Sequence, residues 1–182
     1  MAGYGILARY QTPDTSMINV SVRGKAVSYN GKIDFTVTLY ETGTTTEKGK
    51  VIVTGTGASG QATQDFTLTG VAPGTYDLVV TNPGHLTYTV KDVKVESTDL
   101  DLTKRTGKLY STITMLAGNM NTDDAINNSD MLIFRSQFGK TGTNITNKCA
   151  DINGDGYVNN GDLLIFRSFF GKTTAICTFD YK

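Results

Sequence analysis

Between residues 20 and 102, apolar and polar positions alternate in short runs rich in Val, Thr, Tyr and Ile. Examples are FTVTLYE (35–41), KVIVTGT (50–56), QDFTLTGV (64–71), TYDLVVT (75–81) and VKDVKVE (90–96). A period of two sends alternate side chains to a core and to water, which is the signature of half-buried strands. Turn-forming APGT and NPGH separate the runs, so this half predicts a small antiparallel β-sandwich. After Lys108 the pattern changes to loops rich in Asn, Asp and Gly, each followed by helical apolar spacing. The joining segment KLYSTITMLAG (108–118) is apolar and β-branched, without proline. It does not have the composition of a flexible linker and predicts a last strand that couples the halves rigidly. The expected division is residues 1–115 and 116–182.

The second half repeats itself. INNSDMLIFRSQFGKT (126–141) returns 32 residues later as VNNGDLLIFRSFFGKT (158–173), with 12 of 16 positions identical, so one loop-plus-helix unit is used twice. Counted from Asp151, the second loop has Asp151, Asn153 and Asp155 at positions 1, 3 and 5, with Gly156 at 6. Tyr157 stands at 7, Asn159 at 9 and Asp162 at 12. A hard cation of calcium's size wants oxygens at alternate loop positions, a main-chain carbonyl at 7, a returning carboxylate at 12 and a glycine at the sharp turn. The first loop keeps the spacing with Asn119, Asn121, Asp123, Ala125 through its carbonyl, Asn127 and Asp130, but has Asn at position 1 and Asp124 at position 6. Two Ca2+ ions are therefore expected, the second loop holding its ion more tightly because it offers three carboxylates against two.

In each helix, Met131, Phe134 and Phe138, or Leu163, Phe166 and Phe170, form the stripe expected to face a core. An adjoining stripe carries Leu132, Ile133, Ser136 and Lys140, and in the second helix Leu164, Ile165, Ser168, Phe169 and Lys172. A unit of this size cannot readily hide both stripes. The second reads as an apolar patch rimmed by polar groups, which marks a protein partner site.

These paired loops, each followed by one helix ending near Gly-Lys, resemble a dockerin, the calcium-dependent plug that binds cohesins in cellulosome-type assemblies. Asp at position 12 and no helix leading into the loop set that family apart from ordinary EF-hands. The resemblance implies contacts from loop positions 10 and 11 (Asn128, Ser129, Asn160, Gly161) and from the second stripe. It also implies a cohesin of a scaffoldin or cell-surface anchoring protein as partner, and an extracellular location. Residues 65–96 are similar to the X-modules that precede some dockerins and to carboxypeptidase regulatory-like domains. The implied fold is an all-β immunoglobulin-like sandwich followed by an all-α dockerin. The near-duplicate faces imply two docking poses, with Gln137 against Phe169 and Ser129 against Gly161 favouring one.

Composition narrows the alternatives. The formal net charge is zero, which offers no basic excess for nucleic acid or an anionic membrane, and the apolar runs are far too short to cross a bilayer. Any secretion leader is expected upstream of Met1. The lone acids Asp34, Asp65 and Asp77 show no paired motif for catalysis, and His85, the single histidine, is expected in a turn or on the surface. Cys149 and Cys177 leave a disulfide and two thiols both open. A carbohydrate- or wall-binding role for the sandwich, through Tyr29, Tyr40, Tyr76 and Tyr88, is the alternative.

Overall fold

The computed structural model describes residues 19–182, so the first 18 residues of the expected N-terminal unit lie outside the described residues. The strands β1 (Val20–Ser28), β2 (Phe35–Glu41), β3 (Glu47–Val53), β4 (Ala62–Val71), β5 (Gly74–Thr81) and β6 (Tyr88–Val95) follow in order, then the short β7 (Leu100–Asp101) and β8 (Ile113–Thr114). Two ten-residue helices, α1 (Asn128–Gln137) and α2 (Asn160–Phe169), and a final strand β9 (Thr178–Asp180) complete the chain. One sheet centres on β1, antiparallel to β4 and parallel to both β7 and β8. The other runs β3-β2-β5-β6-β9.

The alternation seen in the sequence is what lets these sheets close face to face. Val20, Val22, Gly24 and Ala26 of β1 point inward, as do Tyr76, Leu78 and Val80 of β5. Gly24 leaves room for the Phe66 ring, whose Cζ would stand 2.3 Å from any Cβ placed there. In β6 the period slips: Val90 and Val93 are both buried because Asp92 takes φ +57° in a bulge. Asp77 supports that left-handed residue, its carboxylate accepting from Asp92 N–H at 3.1 Å and from Gly43 N–H at 3.0 Å. Asp34 accepts from Gly55 N–H, and Asp65 faces Lys25, so each of the acids singled out in the sequence supports a turn, a bulge or a strand pair.

The connector couples the halves, with only Ile113–Thr114 as strand. Met115 N–H donates to Val27, Leu86 N–H to Leu116 O, and Gly118 N–H to Gly84 O at 2.7 Å. The expectation of an all-α second half is wrong. It contains two short helices among 3-10 turns, and its last residues leave helical structure altogether. β9 pairs in parallel with β6, Val90 opposite Phe179, because the tail TAICTFDYK is β-branched and aromatic and suits a strand. Phe179 stacks on Tyr88 at 5.2 Å, and Tyr181 packs between Tyr110 and the Arg105 guanidinium. The described residues thus share one continuous apolar core, from Val20 to Cys177. Cys149 and Cys177 are free thiols, and burial pushes that of Cys177 up to about 11. No helix among the described residues is long and apolar enough to cross a membrane.

His85 closes a turn, as one of the two expectations had it, its N–H donating to Asn82 O at 3.1 Å, but it is buried rather than on the surface. Its Nε2 accepts from Tyr29 N–H at 3.2 Å while Nδ1 faces Pro83 O at 3.0 Å, a pairing that requires the neutral ring. Burial pushes its pKa down to about 4. A depressed histidine pKa gives stability that is present above the ordinary value near 6.5 and lost as pH falls toward 4. Between pH 7 and pH 5 the chain should lose about 2 kcal/mol through this group. Urea denaturation across that range should show the loss, and His85→Gln should flatten it.

Candidate functional site

The two loops fold on one plan. In the second, Asp162 Oδ1 accepts from Asn153 N–H at 3.1 Å and Oδ2 from Asn159 N–H at 2.9 Å. Asn159 in turn accepts from Gly161 N–H at 2.6 Å, completing a reciprocal cap on α2. Asp130 does the same for the first loop, accepting from Met120, Asn121 and Asn127, while Asn127 caps α1 through Ser129 N–H. Both carboxylates are fully buried. Each is therefore fixed by main-chain donors at the N-terminal end of its helix, where the helix dipole favours negative charge. Asn121 and Asp123, like Asn153 and Asp155, link to each other side chain to side chain. Asp123 accepts from Ala125 N–H, and Asp155 from Tyr157 N–H, both at 2.8 Å.

The loop-helix units hold each other through reciprocal main-chain bridges, Ala125 opposite Thr173 and Thr141 opposite Tyr157. Ile126 N–H donates to Lys172 O, Gly171 N–H to Ile126 O, and Thr174 N–H to Asp124 O. At positions displaced by the repeat, Val158 N–H donates to Lys140 O, Gly139 N–H to Val158 O, and Gly142 N–H to Gly156 O. Each loop is thus closed by the residues that follow the opposite helix. Between them Phe134 and Phe166 stack with ring centres 5.9 Å apart.

A cation fits both loops. Asp151 Oδ1 and Asn119 Oδ1, the two position-1 side chains, are buried oxygens with no hydrogen-bond partner, a costly state unless something else takes the lone pairs. Desolvation raises the pKa of Asp151 and of Asp162, and the nearby carboxylate charges raise both further, the response of carboxylates taken out of water beside like charges. Among the described residues no three His, Cys, Asp or Glu side chains converge. The donors are amide and carbonyl oxygens interleaved with carboxylates, a set suited to a hard cation. At position 6, Gly156 takes φ +93° whereas Asp124 is not among the left-handed residues, so the first loop turns differently there and accommodates a side chain.

On the helices, Leu132 is 66% exposed and Leu164 68%. They stand beside exposed Asn128, Ser129 and Ser136, and Asn160, Ser168 and Lys172. Ile133, Ile165 and Phe169 are half-buried against the core, and Lys140 and Gly161 are also partly covered. The stripe expected to be core divides: Phe134 and Phe166 are buried, whereas Phe138 and Phe170 are 47% and 43% exposed. Both lie one residue past the helix with extended ψ, so the helical spacing that placed them inside has already ended. The departures Gln137 and Phe169 do unlike work. Gln137 Oε1 accepts from Thr146 and Asn147 N–H, while Phe169 meets Tyr29 of the sandwich edge-on at 5.2 Å.

Sequence reasoning missed the sandwich residues behind the second loop. Asn30 Nδ2 donates to Asp151 O at 3.1 Å, Gly60 N–H to Asn153 O at 2.6 Å, and Ser59 Oγ and Lys32 Nζ both donate to Gly154 O. The available signal was Gly154 itself. Its φ is +69°, and an added Cβ would stand 2.3 Å from Asn30 Oδ1.

Residues 117–170 match the family model of the dockerin type I domain. No curated protein matches the chain. Among solved structures, it is similar to a type II cohesin–X-dockerin complex from Acetivibrio cellulolyticus carrying an N-terminal interface mutation, at 25% identity and TM-score 0.63 over 86% of this chain and 99% of that one. A C-terminal interface mutant of such a complex from the same organism is 24% identical with TM-score 0.65, again over 86% and 99%.

Phe134→Ala and Phe166→Ala should each cost about 3–5 kcal/mol and loosen both loop-helix units together. Urea denaturation followed by helical ellipticity measures this, and loss of only the mutated unit would contradict the shared clasp.

Proposed function

From the dockerin type I domain over residues 117–170, we propose that the chain is a docking module without catalysis of its own, binding a cohesin when calcium is present. The observation that carries the calcium requirement is the pair of orphaned position-1 oxygens, Asn119 Oδ1 and Asp151 Oδ1. One Ca2+ in each loop would give them a partner, the second held more tightly by Asp151, Asp155 and Asp162. Metal that binds only the ordered loops adds its binding energy to folding. The partner surface in this reading is the exposed part of α1 and α2, centred on Leu132 and Leu164, with the first-turn residues Asn128, Ser129, Asn160 and Gly161 at its rim. Ile133 and Ile165 support it from beneath.

The type II cohesin–X-dockerin likeness over most of the chain supports reading residues 1–115 as an X-module and 116–182 as the dockerin, with the final strand returned to the sandwich. The setting is an extracellular or cell-surface assembly of polysaccharide-degrading proteins, and the cohesin belongs to a scaffoldin or an anchoring protein. Carbohydrate binding by the sandwich has weaker support. Tyr76 and Tyr88 are buried, and Tyr29 is engaged by Phe169.

Leu164→Asp and Leu132→Asp should leave the melting temperature nearly unchanged. At least one, or the two combined, should weaken cohesin binding about 30-fold or more, the size of a hot-spot loss near 2 kcal/mol. Thermal melts check the first effect, and titration calorimetry of the single and double variants against a panel of cohesins, with Ca2+ and with EGTA, checks the second. Binding that survives EGTA refutes the calcium requirement, and full affinity in the double variant Leu132→Asp/Leu164→Asp refutes the assigned face. If both substitutions weaken binding alike, the two helices act in one pose; if neither does while the double variant fails, two poses exchange their roles.

EGTA alone should lower the melting temperature of the full chain and reduce its helical ellipticity. An unchanged melt and spectrum would contradict the structural role of the metal.

A further inference from the structure

We propose that the sandwich is a working wall of the second cation loop, with Asn30 as a positioning residue, so that loading of that loop and docking of the two halves form one coupled equilibrium. This rests on the reading that the loops take calcium. Three carbonyls in the first third of the loop, those of Asp151, Asn153 and Gly154, are held from outside by Asn30 Nδ2, Gly60 N–H and Ser59 Oγ, with Lys32 Nζ also on Gly154. Among the described residues the first loop has no such wall. Its tie to the sandwich among these bonds is at its mouth, where Asn119 N–H donates to Gly84 O at 3.1 Å.

Holding a carbonyl fixes its peptide plane, and the planes at positions 1, 3 and 4 set the directions of Asp151, Asn153 and Asp155. Partners that orient ligands in this way control metal affinity although they never touch the ion. Asn30 is itself immobilised. It is buried, and its Oδ1 accepts from Lys32 N–H at 3.1 Å, which turns Nδ2 toward Asp151. The fit depends on glycine at 154, since any Cβ there would overlap Asn30. Thr122 holds the matching position of the first loop, also left-handed at φ +62°. Coupling of this kind is reciprocal: if the wall improves calcium binding, calcium tightens the wall by the same factor.

Calcium titration of the full chain by calorimetry, with Asp155→Asn used to assign the second loop's signal, tests the forward direction. Asn30→Ala should weaken that loop's affinity about tenfold, leave the first loop unchanged, and shrink the calcium-induced rise in melting temperature. Equal weakening of both loops, or an unchanged affinity, overturns the proposal. Hydrogen exchange on the unaltered chain tests the reverse direction and needs no variant. The Gly60 amide should exchange several-fold more slowly in Ca2+ than in EGTA, in step with the loop amides of Gly156 and Tyr157. Slowing of the loop amides alone overturns the wall while sparing the calcium reading. If neither set responds and no binding heat is seen, the calcium reading itself falls, and the proposal with it.

Discussion

The reciprocal main-chain bridging between the two loop-helix units is the constraint on which the second half depends. A ten-residue helix is marginal in water by itself, and a loop that gathers acids at one point repels itself. Here each helix starts from a buried aspartate that its own loop fixes, and each loop is closed by the residues leaving the other helix. Phe134 against Phe166 supplies the apolar contact across the pseudo-symmetric centre. Neither unit is complete alone, which is the physical reason for two copies.

That duplication leaves a symmetric object on an asymmetric support. Tyr29 rests on Phe169 of α2, and the sandwich donors reach the second loop. α1 instead places Gln137, a buried amide that holds the connecting segment. The Gln137/Phe169 break in the repeat therefore falls where the environments of the two copies differ. Their unlike packing gives the two helical faces different surroundings while leaving Leu132 and Leu164 equally open.

Much of this was legible beforehand, because strand alternation and loop spacing are local signals. The five runs quoted from the first half each overlap a strand, and the twelve-residue count placed the capping aspartates Asp130 and Asp162. What escaped was non-local. Nothing near Asn30 announces that it will meet Asp151, 121 residues away, and the burial of His85 follows from a connector that bonds to its neighbours. The all-α expectation, which the resemblance implied, failed through a different cause: the β-branched, aromatic tail after the repeat pairs with β6. Phe138 and Phe170 leave the core stripe because each lies one residue past its helix, where the backbone is already extended.

The return of β9 to β6 makes the helical pair, in topological terms, an insertion pinned at both ends. Its first residues are tied at Gly84 and its last at Val90. A segment anchored at both ends behaves as a closed loop when it loosens, with less conformational freedom to gain than a free tail. The same pinning has a kinetic side. Pairing Val90 with Phe179 joins positions far apart in the chain, and contacts of such separation form late and slowly. The last strand should therefore be among the final parts of the molecule to lock into place.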